Sequence, residues 1–138
     1  YFTDNSYLDI QKNIARVIRQ AQKSLWIFDA YMDEKIIEEL SEVPASEIKL
    51  LTQHIKGLFK QRLTALKQQC PGKIVEVKKS DKVHDRFYII DQIQVWTLGA
   101  SFNKAGQKAT LLSKIKSDSE KEKIINDFNS WWENGRHF

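Results

Sequence analysis

The chain of 138 residues is 41% hydrophobic and 29% charged, and its formal net charge is +4. This length and apolar content suit a single domain over residues 1–138 that buries its own core. The single cysteine, Cys70, excludes an internal disulfide and a cysteine-rich metal site. This cysteine usage suits a reducing cytoplasm, so we expect a cytoplasmic protein. No apolar run reaches the roughly 18 residues that a membrane-spanning helix needs, so we expect a soluble one.

The first part of the chain alternates helical and extended patterns. Apolar residues recur at helical spacing over residues 7–22 and predict an amphipathic helix. The unbroken apolar run in residues 24–29 predicts a strand buried on both faces, with Asp29 at its end. Asp33 is placed to cap a short helix, and residues 47–52 predict a second strand.

The remainder of the chain predicts two helices that enclose a series of strands. One helix is predicted over residues 55–69, and Pro71 and Gly72 end it. A final helix, capped by Asp118 or Ser119, carries apolar residues at helical spacing. Short apolar runs predict strands at residues 73–78, 86–90, 94–98 and 109–115. The predicted fold class is therefore α/β, a mixed β-sheet flanked by helices.

Residues 83–91, VHDRFYIID, are the segment best suited to chemistry. Because successive side chains of a strand point to opposite faces, His84, Arg86 and Tyr88 are expected on one face. An arginine offers forked donors to the oxygens of a phosphodiester, and an imidazole can attack phosphorus or move a proton. Asp91, at the strand end, is placed to orient an imidazole from another copy of the motif. The catalytic candidates are His84, Arg86 and Asp91.

This segment resembles the motif of the phospholipase D superfamily: a histidine, any residue, a lysine, four residues and an aspartate. An apolar strand follows, and then a small-residue turn that starts at Gly99 and includes Ser101, with Asn103 after it. These residues resemble the glycine, serine and asparagine cluster that lines the family's pocket. The resemblance implies the half-domain sandwich of that family. With a lysine of the basic stretch that follows, the phosphate-binding candidates are Arg86, Ser101, Asn103 and Lys108.

The family uses two facing copies of its motif, one histidine forming a phosphohistidine and the other acting as acid and base. This chain has one copy, so the resemblance implies a homodimer as the active form. It also implies a phosphodiesterase or nuclease that needs no metal and no cofactor. The first residue is Tyr1 and the only methionine is Met32. We therefore expect that the chain was excised from a longer protein with additional domains.

Two departures from the family pattern indicate a catalytically degenerate member instead. Arg86 replaces the lysine of the motif, which favours bidentate phosphate binding but changes reach and geometry. No acidic residue follows the small-residue cluster in residues 106–115. A degenerate module would bind acidic lipid head groups or mediate oligomerisation of a larger protein. The positive net charge and a loose likeness to prokaryotic defence and mobile-element proteins favour nucleic acid as the partner.

The same residues also have purely structural interpretations. His84 would then be a partly buried histidine hydrogen-bonded to a neighbour, and Arg86 would form a surface ion pair with Asp85 or Asp91. The basic residues would form an ordinary solvated surface.

Other residues are open to both kinds of interpretation. His54 follows the second strand, where functional loops gather, although a histidine at a helix start is the commoner case. Trp26, Trp131 and Trp132 follow apolar patterns, so we expect them in the core rather than on a base-stacking surface.

Overall fold

The computed structural model describes residues 6–102 and 108–138, with side chains described for residues 9–99 and 110–138. The helices are α1 (Ser6–Ile18), α2 (Glu34–Leu40), α3 (Phe59–Gln69) and α4 (Asp118–Glu133). The strands are β1 (Ser24–Met32), β2 (Glu47–Ile55), β3 (Ile74–Lys79), β4 (Arg86–Ile90), β5 (Gln94–Phe102), β6 (Lys108–Lys114) and β7 (Arg136–His137). None of these helices is both long and apolar enough to cross a membrane.

The strands form one mixed sheet in the order β6-β5-β4-β1-β2-β3-β7. The strands β1, β2 and β3 are parallel, and the other pairings are antiparallel. The chain builds outward from β1 to β3 and then returns to the other side of β1 with β4. In open α/β sheets such a reversal leaves a crevice where ligands bind. We call the edge of the sheet where β1, β2 and β3 end and β4 begins the carboxyl edge, and the opposite edge the amino edge.

Alternation along the strands divides the buried side chains between two cores. Leu25 and Ile27 of β1 belong to the core under α1, α2 and α3. Trp26 and Phe28 belong to the core under α4, where the Phe128 ring stacks on Trp26 with 5.0 Å between ring centroids. The core placement expected for the tryptophans is confirmed, because Trp26 and Trp132 are buried and Trp131 is partly buried against them.

The predicted order of elements is confirmed, but several boundaries differ. The strands β1 and β2 each run three residues beyond their predicted ends, because their parallel pairing continues to Met32 and Ile55. Asp29 therefore lies within β1 rather than at its end, and α3 begins later than predicted, at Phe59. The N-cap of α4 is Ser117, whose hydroxyl accepts a hydrogen bond from the backbone of Glu120.

The short strand β7 was not predicted. It has only two residues, and it is held by antiparallel pairing to β3, with Lys79 opposite Arg136. A two-residue strand leaves no periodic pattern, so tertiary pairing alone defines it. It returns the end of the chain to the carboxyl edge.

Candidate functional site

Arg86, the first residue of β4, forms an ion pair across the sheet with Asp29 of β1. The Arg86 Nε lies 2.8 Å from Oδ2 of Asp29, and the side chains are 36% and 16% exposed. The register of the sheet brings them together. Phe28 of β1 pairs with Phe87 of β4, and because these strands are antiparallel, the residue after Phe28 lies opposite the residue before Phe87. The structural interpretation of Arg86 named the wrong partners, since the register selects Asp29 instead of Asp85 or Asp91.

Asp29 is the more buried partner of the pair. Burial raises the pKa of its carboxyl, and the positive charge of Arg86 only partly offsets that rise. The backbone N–H of Tyr31 also donates to Asp29 Oδ1 at 3.1 Å. One carboxylate therefore holds the guanidinium of Arg86 and the backbone of β1 at Tyr31.

Tyr88 lies two residues after Arg86 on the same face of β4, as strand alternation predicted. Its side chain is buried. Burial raises the pKa of the Tyr88 hydroxyl above its usual value, although the positive charge of Arg86 opposes the rise. The hydroxyl therefore stays protonated at neutral pH. The ion pair with Asp29 is therefore the contact that orients Arg86.

An open cavity of about 160 Å³ lies beside this cluster. That volume suits a phosphate-sized group rather than a drug-sized ligand. Its polar lining consists of Gln11, Asp29, Tyr31, Asp33, Lys35, Glu39, Arg86 and Tyr88. Three carboxylates face two cations in this lining, so an anion is expected to meet the half-exposed guanidinium of Arg86 at the rim rather than enter the cavity.

His84 lies outside the strand that carries Arg86. Val83 is anchored in the core under α4, and the chain bends at Asp85 before β4 begins. His84 is exposed in this connection and is not among the described residues that line the cavity. The prediction of one shared strand face is therefore correct for Arg86 and Tyr88, whereas His84 precedes the strand.

Asp91 lies at the amino edge, at the far end of β4 from Arg86. Five residues at about 3.3 Å each separate the two by roughly 16 Å. The Asp91 carboxylate accepts hydrogen bonds from the backbone N–H groups of Gln22, Lys23 and Ser24 at 3.0, 2.7 and 3.1 Å. Partial burial by itself raises the pKa of Asp91, but these hydrogen bonds outweigh it and hold the pKa below its usual value. The structure therefore does not bring Asp91 to the other two catalytic candidates, since its carboxylate is engaged by the turn before β1.

Two of the remaining phosphate-binding candidates, Ser101 and Lys108, lie on the strands β5 and β6. Ser101 pairs with Ala109, and Phe102 pairs with Lys108, at the carboxyl-edge ends of β5 and β6. The side chains of Ser101 and Lys108 and the whole of Asn103 lie outside the described residues. Within the described residues, no group of three or more histidine, cysteine or acidic side chains is arranged to hold a metal ion.

Sequence reasoning missed Asp29 and Tyr31 as members of the site. The available signal was Asp29 itself, which interrupts an otherwise apolar stretch. A carboxylate in a buried strand requires a cation or hydrogen-bond donors nearby. Tyr31 follows at the next position of the same face, so it reaches the same cavity.

Asp29→Asn tests the buried carboxylate through the pH dependence of stability. Folding raises the pKa of Asp29 above its unfolded value of 3.8. The stabilisation from the protonated carboxyl is therefore complete below pH 3.8 and is lost as pH rises through the raised pKa. Asparagine cannot ionise, so the stability of Asp29→Asn relative to wild type should increase from about pH 4 to 7. Urea unfolding at a series of pH values measures this difference. A flat difference for Asp29→Asn would contradict the assignment.

Asp91→Ala tests the contacts at the amino edge. Loss of the three acceptor contacts should lower the free energy of unfolding by about 1–3 kcal/mol near neutral pH. Asp91→Asn should lose less, because asparagine keeps one acceptor and tolerates the left-handed φ of 55° at this position. The pKa of Asp91 is lowered on folding, so its stabilisation is present above pH 3.8 and is lost as pH falls through the lowered pKa. Equal stability of wild type and Asp91→Ala in urea unfolding would refute this role.

The fold and the site allow comparison with known proteins. No family model matches the sequence, and no curated protein matches it. The chain is similar to the structure of Nuc, a phospholipase D family member from Salmonella typhimurium, with a TM-score of 0.59 and 16% identity over 92% of this chain and 90% of that chain. It is also similar to TrmBL2, an archaeal chromatin protein, with a TM-score of 0.58 and 20% identity over 97% of this chain and 50% of that chain. The chain therefore has a phospholipase D-like α/β fold, as its sequence predicted.

Proposed function

We propose that this domain binds the phosphodiester backbone of nucleic acid at the carboxyl edge, with Arg86 as the central contact. The strongest support is the register of the sheet. Asp29, the partner of Arg86, pairs with Thr52, Thr52 with Lys79, and Lys79 with Arg136. Paired residues point to the same face of a sheet. Arg86, Lys79 and Arg136 thus belong to one row that crosses the sheet.

The spacing of this row suits a polymer better than a small phosphate ester. Neighbouring strands lie about 4.8 Å apart, which sets Lys79 roughly 14 Å and Arg136 roughly 19 Å from the position of Arg86. Thr52 between them is buried, so the cations on either side make the contacts. A nucleic acid strand carries about one charge per 3.4 Å and can engage all three cations, whereas a single phosphate reaches one.

Affinity should be modest and sensitive to salt. Lys56, after β2, and Lys82, after β3, add exposed positive charge at this edge. Exposed carboxylates of Asp81 and Asp85 in the β3–β4 connection oppose it. Attraction between exposed charges is screened by salt, and each phosphate contact releases counterions.

The comparisons add support for nucleic acid over lipid. The structure of TrmBL2, a chromatin protein, shows a novel mode of DNA binding. We propose that Ser101, Asn103 and Lys108 add phosphate contacts, because β5 carries Ser101 and β6 carries Lys108 at the carboxyl edge.

Cleavage is the further activity that we propose for a homodimer. His84 is exposed beside the start of β4, where the imidazole of a second copy can approach it. Two facing histidines supply a nucleophile for phosphorus and an acid for the leaving oxygen, without a metal ion. A single copy offers one imidazole and can only bind.

Arg86→Gln tests the binding site. Fluorescence anisotropy with labelled oligonucleotides should show weaker binding for every sequence, and the slope of log affinity against log salt should fall by about one. Arg86→Lys should lose less affinity than Arg86→Gln, because lysine keeps the positive charge. It should still bind more weakly than wild type, because lysine lacks the forked donors. Lys116→Gln removes an exposed cation near the amino edge and should bind nearly as wild type does. Circular dichroism establishes that each variant is folded.

Two results of that titration would contradict the proposed site. Equal losses of affinity in Arg86→Gln and Lys116→Gln would indicate that nucleic acid binds to a diffuse basic surface rather than at Arg86. Binding to vesicles that contain phosphatidylserine, with none to DNA or RNA, would favour the acidic-lipid module.

His84→Ala tests cleavage. At concentrations where sedimentation shows a dimer, wild type should cleave labelled DNA or RNA in EDTA, and His84→Ala should abolish the activity. His137→Ala removes another exposed imidazole, on β7, and should retain the activity. Cleavage that persists in His84→Ala would contradict the assignment of His84 as catalytic. Binding without cleavage by the wild-type dimer would indicate a catalytically degenerate domain.

A further inference from the structure

We propose that Tyr31 and His54 form a platform for an unpaired base beside Arg86, so that the ligand is single-stranded nucleic acid rather than duplex. This inference rests on the proposed function, the binding of phosphodiesters at the carboxyl edge. It adds a second kind of contact, with the base instead of the phosphate.

The two rings are already parallel. Tyr31 and His54 are register partners at the ends of β1 and β2. Their ring centroids lie 5.0 Å apart, with an angle of 21° between the ring planes. Tyr31 is nevertheless 54% exposed, and His54 is exposed as well. Sheet register rather than burial therefore aligns the rings, and both side chains remain exposed to solvent.

The platform is coupled to the phosphate contact. Tyr31 lines the same cavity as Arg86. It lies two residues beyond Asp29 on β1, a rise of about 7 Å. The Asp29 carboxylate accepts the Tyr31 backbone N–H at 3.1 Å through Oδ1 and pairs with Arg86 Nε at 2.8 Å through Oδ2. When the phosphate of a nucleotide contacts Arg86, the base of that nucleotide or of its neighbour is close enough to stack on the platform.

A cation lies over the Tyr31 ring, so an incoming base stacks on the outer face of His54 or displaces this exposed lysine side chain. The Nζ of Lys56 is 4.7 Å from the centroid of the Tyr31 ring. An ammonium over an aromatic face is held by the ring's quadrupole. Its charge stays near the platform and can meet the phosphate that follows a stacked base. Aromatic side chains next to cations are the pattern by which proteins bind single strands with little sequence preference.

Duplex nucleic acid cannot use this platform. In a duplex the faces of the bases are covered by their neighbours in the stack, and only base edges and the backbone are exposed. A flat pair of rings at the end of two strands meets a base face only when the base is unpaired. The rings therefore discriminate by strandedness, whereas the Arg86 row recognises charge that both forms share.

The test compares three labelled probes by anisotropy: a thymidine 20-mer, an abasic strand of equal length and charge, and a duplex. Wild type should bind the thymidine strand more tightly than the other two. Tyr31→Ala should weaken binding of that strand roughly tenfold and leave the abasic strand unchanged. Tyr31→Trp should restore binding. A uridine 20-mer distinguishes RNA from DNA as the source of the strand.

The control variant is Ile93→Ala, which truncates a 69% exposed side chain near the amino edge and should bind all probes as wild type does. Equal wild-type affinity for the thymidine and abasic strands, or an unchanged affinity in Tyr31→Ala, would overturn the platform while leaving phosphodiester binding intact. Failure of the wild type to bind any probe, the abasic strand included, would overturn the proposed function and the platform with it.

Discussion

The ion pair between Asp29 and Arg86 is the contact around which the carboxyl edge is arranged. It joins β1, the first of the parallel strands, to β4, the first of the antiparallel ones. The burial of Asp29 is tolerated because a guanidinium and a backbone N–H both meet its carboxylate. Arginine has five donors, enough for Asp29 and for a solvent-facing anion, whereas the three donors of a lysine radiate from a single nitrogen. The structure thus gives a local reason for arginine at this position.

The two aspartates that flank this region have opposite roles. Burial raises the pKa of Asp29 at one end of the sheet, while backbone hydrogen bonds lower the pKa of Asp91 at the other. Asp29 orients the guanidinium of Arg86, which can contact a ligand. Asp91 accepts hydrogen bonds from the turn that leads into β1 and so stabilises that turn. The motif-like spacing of His84, Arg86 and Asp91 therefore spans the full length of a strand instead of marking one cluster.

Local patterns predicted much of the fold and part of the site. Periodicity was sufficient for the order of the elements and for the bounds of β4, and strand alternation placed Arg86 and Tyr88 on one face. The pairing of Arg86 with Asp29 depends on the register between strands far apart in sequence, which no local pattern encodes. The position of His84 depends on the start of β4 at Arg86 and on the bend at Asp85 that precedes it, which no local pattern predicted. The platform of Tyr31 and His54 depends on strand extensions that are stabilised only by their mutual pairing.

The topology also bears on the order in which the domain folds. The strands β4, β5 and β6 follow one another and pair as neighbours, so their contacts close short loops. The pairing of β1 with β4 must wait for the long intervening segment that contains β2 and β3, and closing that loop carries a larger entropic cost. We expect the hydrogen bonds between β1 and β4 to form after the local hairpins of β4, β5 and β6. The ion pair between Arg86 and Asp29 would then be among the last native contacts to form. In a newly made chain, the Arg86 guanidinium would therefore have no fixed orientation until the sheet is complete.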